Sequence, residues 1–107
     1  MKLWLDDVRP APTGYIWAKS VNSAKIHCTQ FLGPGKILFI EEFSLDHDAG
    51  DWTFAGGDYI EFLKWLEERQ KYQGWKIKAV FKIHSINPVG VENMRAIIKH
   101  NHWRLGN

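Results

Sequence analysis

Apolar residues in this chain come in short runs separated by polar punctuation, and the spacing inside the runs changes from one to the next. Lys2 to Leu5 is a short apolar stretch that stops at Asp6-Asp7, as a central strand ending in carboxylates would. Arg9-Pro10-Ala11-Pro12-Thr13-Gly14 is loop: two prolines remove backbone donors and Gly14 permits a turn. Tyr15 to Ala18 reads as a second strand. Ser20 is placed to cap a helix from Val21 to about Leu32, with Val21, Ala24, Cys28, Phe31 and Leu32 on one face, stopped by Gly33-Pro34-Gly35.

The longest apolar run, Ile37 to Leu45, predicts a buried strand that leads into Ser44-Leu45-Asp46-His47-Asp48, followed by a loop from Ala49 to Gly57. Asp58 with Glu61 three residues later resembles a capping box opening a helix from Tyr59 to about Lys71, which buries Tyr59, Phe62, Leu63 and Leu66, has Trp65 at one margin, and ends at Gly74. Ile77 to Ile83 is the next predicted strand. Asn87 can cap the last helix with Pro88 in its first turn. Val91, Met94, Ile97 and Ile98 form its buried stripe, and Lys99 and His100 suit the negative end of its dipole. His102 to Leu105 reads as a short closing strand. Strands alternating with helices predict an α/β domain with a mainly parallel sheet of four to five strands and helices on both faces, three layers in all.

Composition narrows this picture in three ways. At 107 residues, with six Trp, six Phe and three Tyr, the chain is read as one domain, 1–107, with one modest core. No apolar run approaches the ~18 residues of a membrane span, and the start of the chain turns acidic too soon for a signal peptide. The single cysteine, Cys28, sits on an apolar helix stripe as a core thiol and fits a reducing, cytoplasmic setting. A net charge of +2 without a long basic block argues against extended DNA binding, which needs clustered Lys and Arg.

Three polar clusters are expected at strand C-termini: Asp6-Asp7, Asp46-His47-Asp48 and His84-Ser85-Ile86-Asn87. That is the edge of an open α/β sheet where ligands bind. An acidic pair after strand one, an aspartate after strand three, Gly57 before the next helix and Ser85 after strand four together resemble a receiver domain, a flavodoxin-like module with a further helix between its first two strands. Leu5-Asp6-Asp7-Val8-Arg9-Pro10, Ser44-Leu45-Asp46-His47-Asp48 and His84-Ser85-Ile86-Asn87-Pro88-Val89-Gly90, in that order, resemble more closely the cyclic-phosphate processing receiver domains. The resemblance implies a receiver-like fold with one helix fewer than the standard and action on cyclic phosphate ends. Two departures stand out. No lysine follows the last strand, which argues against an ordinary phospho-acceptor switch, and Val91 stands where a basic residue commonly follows the glycine.

Four converging carboxylates, Asp6, Asp7, Asp46 and Asp48, would raise one another's pKa unless a cation neutralised them, and oxygen-only ligands suit Mg²⁺ or Mn²⁺. His47 and His84 can serve as general acid and base for ring opening at phosphorus, or as further ligands; the plainer reading is a strand-end histidine bonded to a carbonyl. Asp46 belongs with them at the centre of the chemistry. Ser85, Asn87 and Gly90 are candidates for phosphate contact at the helix start, with simple capping as the other role of Asn87. Arg9 suits a bidentate phosphate clamp or a salt bridge to Asp6 or Asp7. Trp52 and Phe54 can stack on a base, although packing in the core or a lid is the commoner fate of aromatic residues. His27, His100 and His102 read as surface. Two functions follow: a metal-dependent phosphodiesterase or phosphatase acting on a cyclic-phosphate nucleotide or RNA end, or a non-catalytic module that binds a nucleotide or protein partner.

Overall fold

The structure, a computed structural model, describes residues 1–106. Five strands, β1 (Lys2–Leu5), β2 (Tyr15–Ala18), β3 (Glu42–Leu45), β4 (Val80–Ile83) and β5 (Arg104–Leu105), form one sheet of order β2-β1-β3-β4-β5 in which every pair is parallel. Three α-helices connect them: α1 (Val21–Gln30), α2 (Tyr59–Gln73) and α3 (Pro88–His100). This is the receiver-like α/β architecture expected from the pattern. Among the described residues no helix is long and apolar enough to cross a membrane.

The expected third layer is not formed by helices. The crossovers β2 to β3, β3 to β4 and β4 to β5 all advance the same way along the sheet, and right-handed crossovers that advance one way stay on one face. Accordingly α1 touches α2 and α2 touches α3. Beneath them lie Leu3, Leu5, Phe43, Leu45, Phe81 and Ile83, all buried. Phe43 meets Phe62 of α2 at 5.3 Å and Phe81 at 5.2 Å between ring centroids. The alternate residues, Lys2, Trp4, Tyr15, Trp17 and Lys82, are half-buried on the other face. β1 returns to β2 through the loop Asp6–Gly14, which is tied to that face by the Trp4 indole donating to the Arg9 carbonyl at 2.8 Å.

Several expected boundaries move, each for a physical reason. The run from Ile37 to Leu45 is not one strand. Burial made it apolar, but only its last four residues have strand partners, because the register pairs Lys2 with Glu42 and β1 begins there. Ile37 and Leu38 instead bridge to Lys76 and Leu32, after a 3₁₀ turn at Pro34–Lys36. β4 likewise begins at Val80, opposite Glu42, and not at Ile77. α1 stops at Gln30, and α2 runs on to Gln73 before Gly74 closes it with φ of 70°. His102 has a φ of 57°, which keeps it out of β5.

The caps divide. Ser20 accepts from the Ser23 amide at 3.0 Å and Asn87 from the Gly90 amide at 3.0 Å, as expected. Asp58 does not close a capping box: its carboxylate accepts from the Ala49 amide at 2.9 Å, and Glu61 pairs with Lys64. The loop after β3 contains a 3₁₀ segment, Gly50–Ala55.

Candidate functional site

Sheet register assembles the site. Leu5 pairs with Leu45 and Leu45 with Ile83, so the next residue on each strand, Asp6, Asp46 and His84, stands beside its neighbour at the C-terminal edge. The carboxylates of Asp6, Asp7 and Asp46 each offer an oxygen within 4.8 Å of the others. Asp48 does not join them. It is exposed, its Oδ1 lies 2.7 Å from His47 Nδ1, and it falls in a second group of donor atoms with His47 and Asp58. Asp58 was hidden from sequence reading by its resemblance to a helix cap.

Asp6 is fully buried and heavily bonded. Oδ1 accepts from the amides of Val8 and Arg9, both at 2.9 Å, and Oδ2 meets His84 Nε2 at 2.9 Å. Burial pushes its pKa up, but the Arg9 and Val8 amides and His84 outweigh burial, so the group is held below the usual carboxylate value. Asp7 is shifted the opposite way. Burial raises its pKa, and the negative charges of Asp6, Asp46 and Asp51 raise it further, against the bond it makes to its own backbone. Three carboxylates thus stand within 4.8 Å of one another, with only the long contacts of Arg9 set against them. Asp46 Oδ1 accepts from the His47 amide at 2.8 Å.

Among the described residues, Arg9 is the one guanidinium in contact with the cluster. Its Nη1 donates to the His84 carbonyl at 2.8 Å, while Nε lies 3.5 Å from Asp6 and Nη2 3.9 Å from Asp46. The expected salt bridge to Asp6 is present, with long contacts that neutralise the carboxylates only in part.

The two histidines are placed differently. His84 is engaged at both nitrogens: Nε2 with Asp6, and Nδ1 with the Ser44 hydroxyl at 2.8 Å. Its ring stacks on Trp4 with centroids 3.8 Å apart and an interplanar angle of 6°. Burial lowers its pKa, more than the bond to Asp6 raises it. A neutral ring that donates to Asp6 and accepts from Ser44 satisfies all of these contacts. Trp4 was expected near the site, at the end of the first strand; Ser44 was given no role there, and the one hydroxyl within the apolar run ahead of Asp46 was the signal for it. His47 has Nδ1 against Asp48, with Asn87 Nδ2 at 3.5 Å, and no described residue bonds Nε2.

The expected phosphate contacts are committed locally. The Ser85 hydroxyl accepts from the Asn87 amide at 3.1 Å, and the Gly90 amide is taken by the Asn87 cap. Gly90 instead gives room: a Cβ there would lie 2.4 Å from His47 Cγ. Gly50 does the same for Asp7, whose Oδ2 would lie 2.2 Å from an added Cβ. Of the readings of Trp52 and Phe54, packing in the core is not formed, since Trp52 is 37% and Phe54 82% exposed.

A family model described as the cyclic-phosphate processing receiver domain matches residues 1–100. No curated protein and no solved structure matches the chain.

Proposed function

The chain belongs to the cyclic-phosphate processing receiver domain family, and from that premise we propose that it is a metal-dependent hydrolase that opens cyclic phosphates on nucleotides or RNA ends. The observation that carries this reading is the convergence of Asp6, Asp7 and Asp46 within 4.8 Å in a site of unbalanced negative charge. An all-oxygen donor set of this kind fits Mg²⁺ or Mn²⁺. Asp7 and Asp46 are the principal ligands, because most of the lone pairs of Asp6 are already taken by protein donors. A bound divalent ion would supply charge stabilisation for the phosphoryl oxygens.

The remaining work falls to side chains of the chain itself. Asp48 orients His47 through Nδ1, leaving Nε2 to accept a proton from the attacking water and return it to the departing ribose oxygen. The phosphorus gains one oxygen bond and loses the ring bond. His84, with both nitrogens occupied, acts as a positioning residue that holds Asp6. Arg9 is close enough to turn from the carboxylates to a bound phosphate.

The test is hydrolysis of 2′,3′-cyclic nucleotides with added Mg²⁺ or Mn²⁺. Wild type should turn over only with metal. His47→Ala should lose about 10²-fold or more, the usual scale of a lost acid–base group, and Asp46→Asn should lose the response to added metal together with turnover. Binding without turnover in wild type would replace the hydrolase by a binding module, and full activity in chelator would remove the metal from the reading.

A further inference from the structure

Large apolar side chains are exposed unevenly over this molecule. Val8, Trp52, Phe54, Ile86 and Val89 are all exposed; the first four lie on the three loops that leave the C-terminal edge beside the carboxylates, and Val89 lies in the first turn of α3. An apolar rim around a polar centre is the composition of a small-molecule site. One part of the rim has more structure than the rest. Trp52 and Phe54 stack on each other with centroids 5.9 Å apart and an interplanar angle of 26°. The Lys19 ammonium stands 4.5 Å from the Trp17 ring and 6.0 Å from the Trp52 ring. The pair is also continuous with the acidic cluster: Gly50, which opens the same 3₁₀ segment, lies against Asp7, whose Oδ2 would be 2.2 Å from an added Cβ.

We infer that Trp52 and Phe54 form a nucleobase-stacking platform beside the carboxylates, so that this site takes a phosphate carrying a base and not any small cyclic phosphodiester. Two features single out a base as the occupant. Exposed rings, here inclined by 26° to each other, offer a face to any base, and the Lys19 ammonium beside Trp52 adds positive charge at the platform. The inference rests on the reading that a phosphate sits at Asp6, Asp7 and Asp46. It adds the residues that select what hangs from that phosphate.

The probe is adenosine 3′-phosphate, measured by calorimetry in Mg²⁺ against ribose 5-phosphate, which has no base, and against a short oligoribonucleotide ending in a 3′-phosphate. Wild type should bind the nucleotide at least about tenfold more tightly than the sugar phosphate. Trp52→Ala with Phe54→Ala should erase that preference, and Trp52→Phe with Phe54→Tyr should retain most of it. The exposure of both rings lets the double variant fold, which its melting temperature checks. An oligoribonucleotide that binds in the same Trp52-dependent way assigns the platform to an RNA end, and one that is excluded assigns it to a free nucleotide; both uphold the platform. Equal binding of nucleotide and sugar phosphate by wild type, or a preference unchanged in the double variant, overturns it. Trp52-dependent binding in a wild type that hydrolyses no cyclic phosphate would leave the platform standing and remove the hydrolase.

Discussion

Gly90→Ala sets two effects of known sign against each other. Gly90 is the third residue of α3, and alanine inside a helix is favoured over glycine by about 1 kcal/mol, so local propensity alone makes the change stabilising. The added methyl, however, would lie 2.4, 2.5 and 2.9 Å from Cγ, Cδ2 and Nδ1 of His47. Ordinary contact begins near 3.4 Å, so the ring must retreat by about 1 Å at its root, not merely at its tip. Neither partner yields easily. The His47 amide donates to Asp46 and its carbonyl accepts from Tyr59, while Asn87 caps the start of α3. Overpacking of this kind costs about 1–3 kcal/mol, which exceeds the helix gain and leaves a net loss of up to about 2 kcal/mol. Urea denaturation measures the loss, and imidazole NMR resonances of His47 report the broken contact with Asp48. A variant that is more stable than wild type, with His47 resonances unmoved, would refute the claim that the absence of a side chain at Gly90 positions His47.

Two further predictions concern the supports of the site. Burial holds the His84 pKa below its ordinary 6.5, so between that value and the folded pKa the unfolded chain binds a proton that the folded chain does not. Stability from this group is complete above pH 6.5 and falls as pH drops below it; His84→Gln should flatten this dependence of the urea midpoint, and equal slopes in the two proteins would contradict the buried neutral ring. Phe43→Ala removes a fully buried ring packed on Phe62 and Phe81 and should cost about 3–5 kcal/mol, readable in the same denaturation experiment; a loss under about 1.5 kcal/mol would mean the sheet–helix interior collapses around the gap.

The site was legible in the sequence wherever chain order alone sets position. A strand that ends in a carboxylate puts that carboxylate at the sheet edge, and parallel register then brings Asp6, Asp46 and His84 together whatever their separation in the chain. Side-chain partners are not set by order. Asp58 and Glu61 have the spacing of a capping box, yet the Ala49 amide takes Asp58, because the loop after β3 must be tied down somewhere. Asp48 follows the same strand as Asp46 but turns to His47. The run from Ile37 to Ile40 shows why apolar character overstates strands: Leu38 and Ile40 are buried, but β1 offers no ladder for them to join. The placing of all helices on one face was implicit in the absence of a helical segment between Leu5 and Tyr15, since the only connection that moves the opposite way along the sheet is that short loop.

With the helices confined to one side, the described residues form a single hydrophobic interior, and among them no second one stands behind the sheet to absorb a defect. Leu5 and Leu45 lie in that interior, and each is joined by one peptide bond to a carboxylate of the site. A disturbance in the slab between sheet and helices therefore reaches Asp6 and Asp46 directly. Geometry at the edge and cooperativity of the whole domain should fail at the same temperature, in one transition.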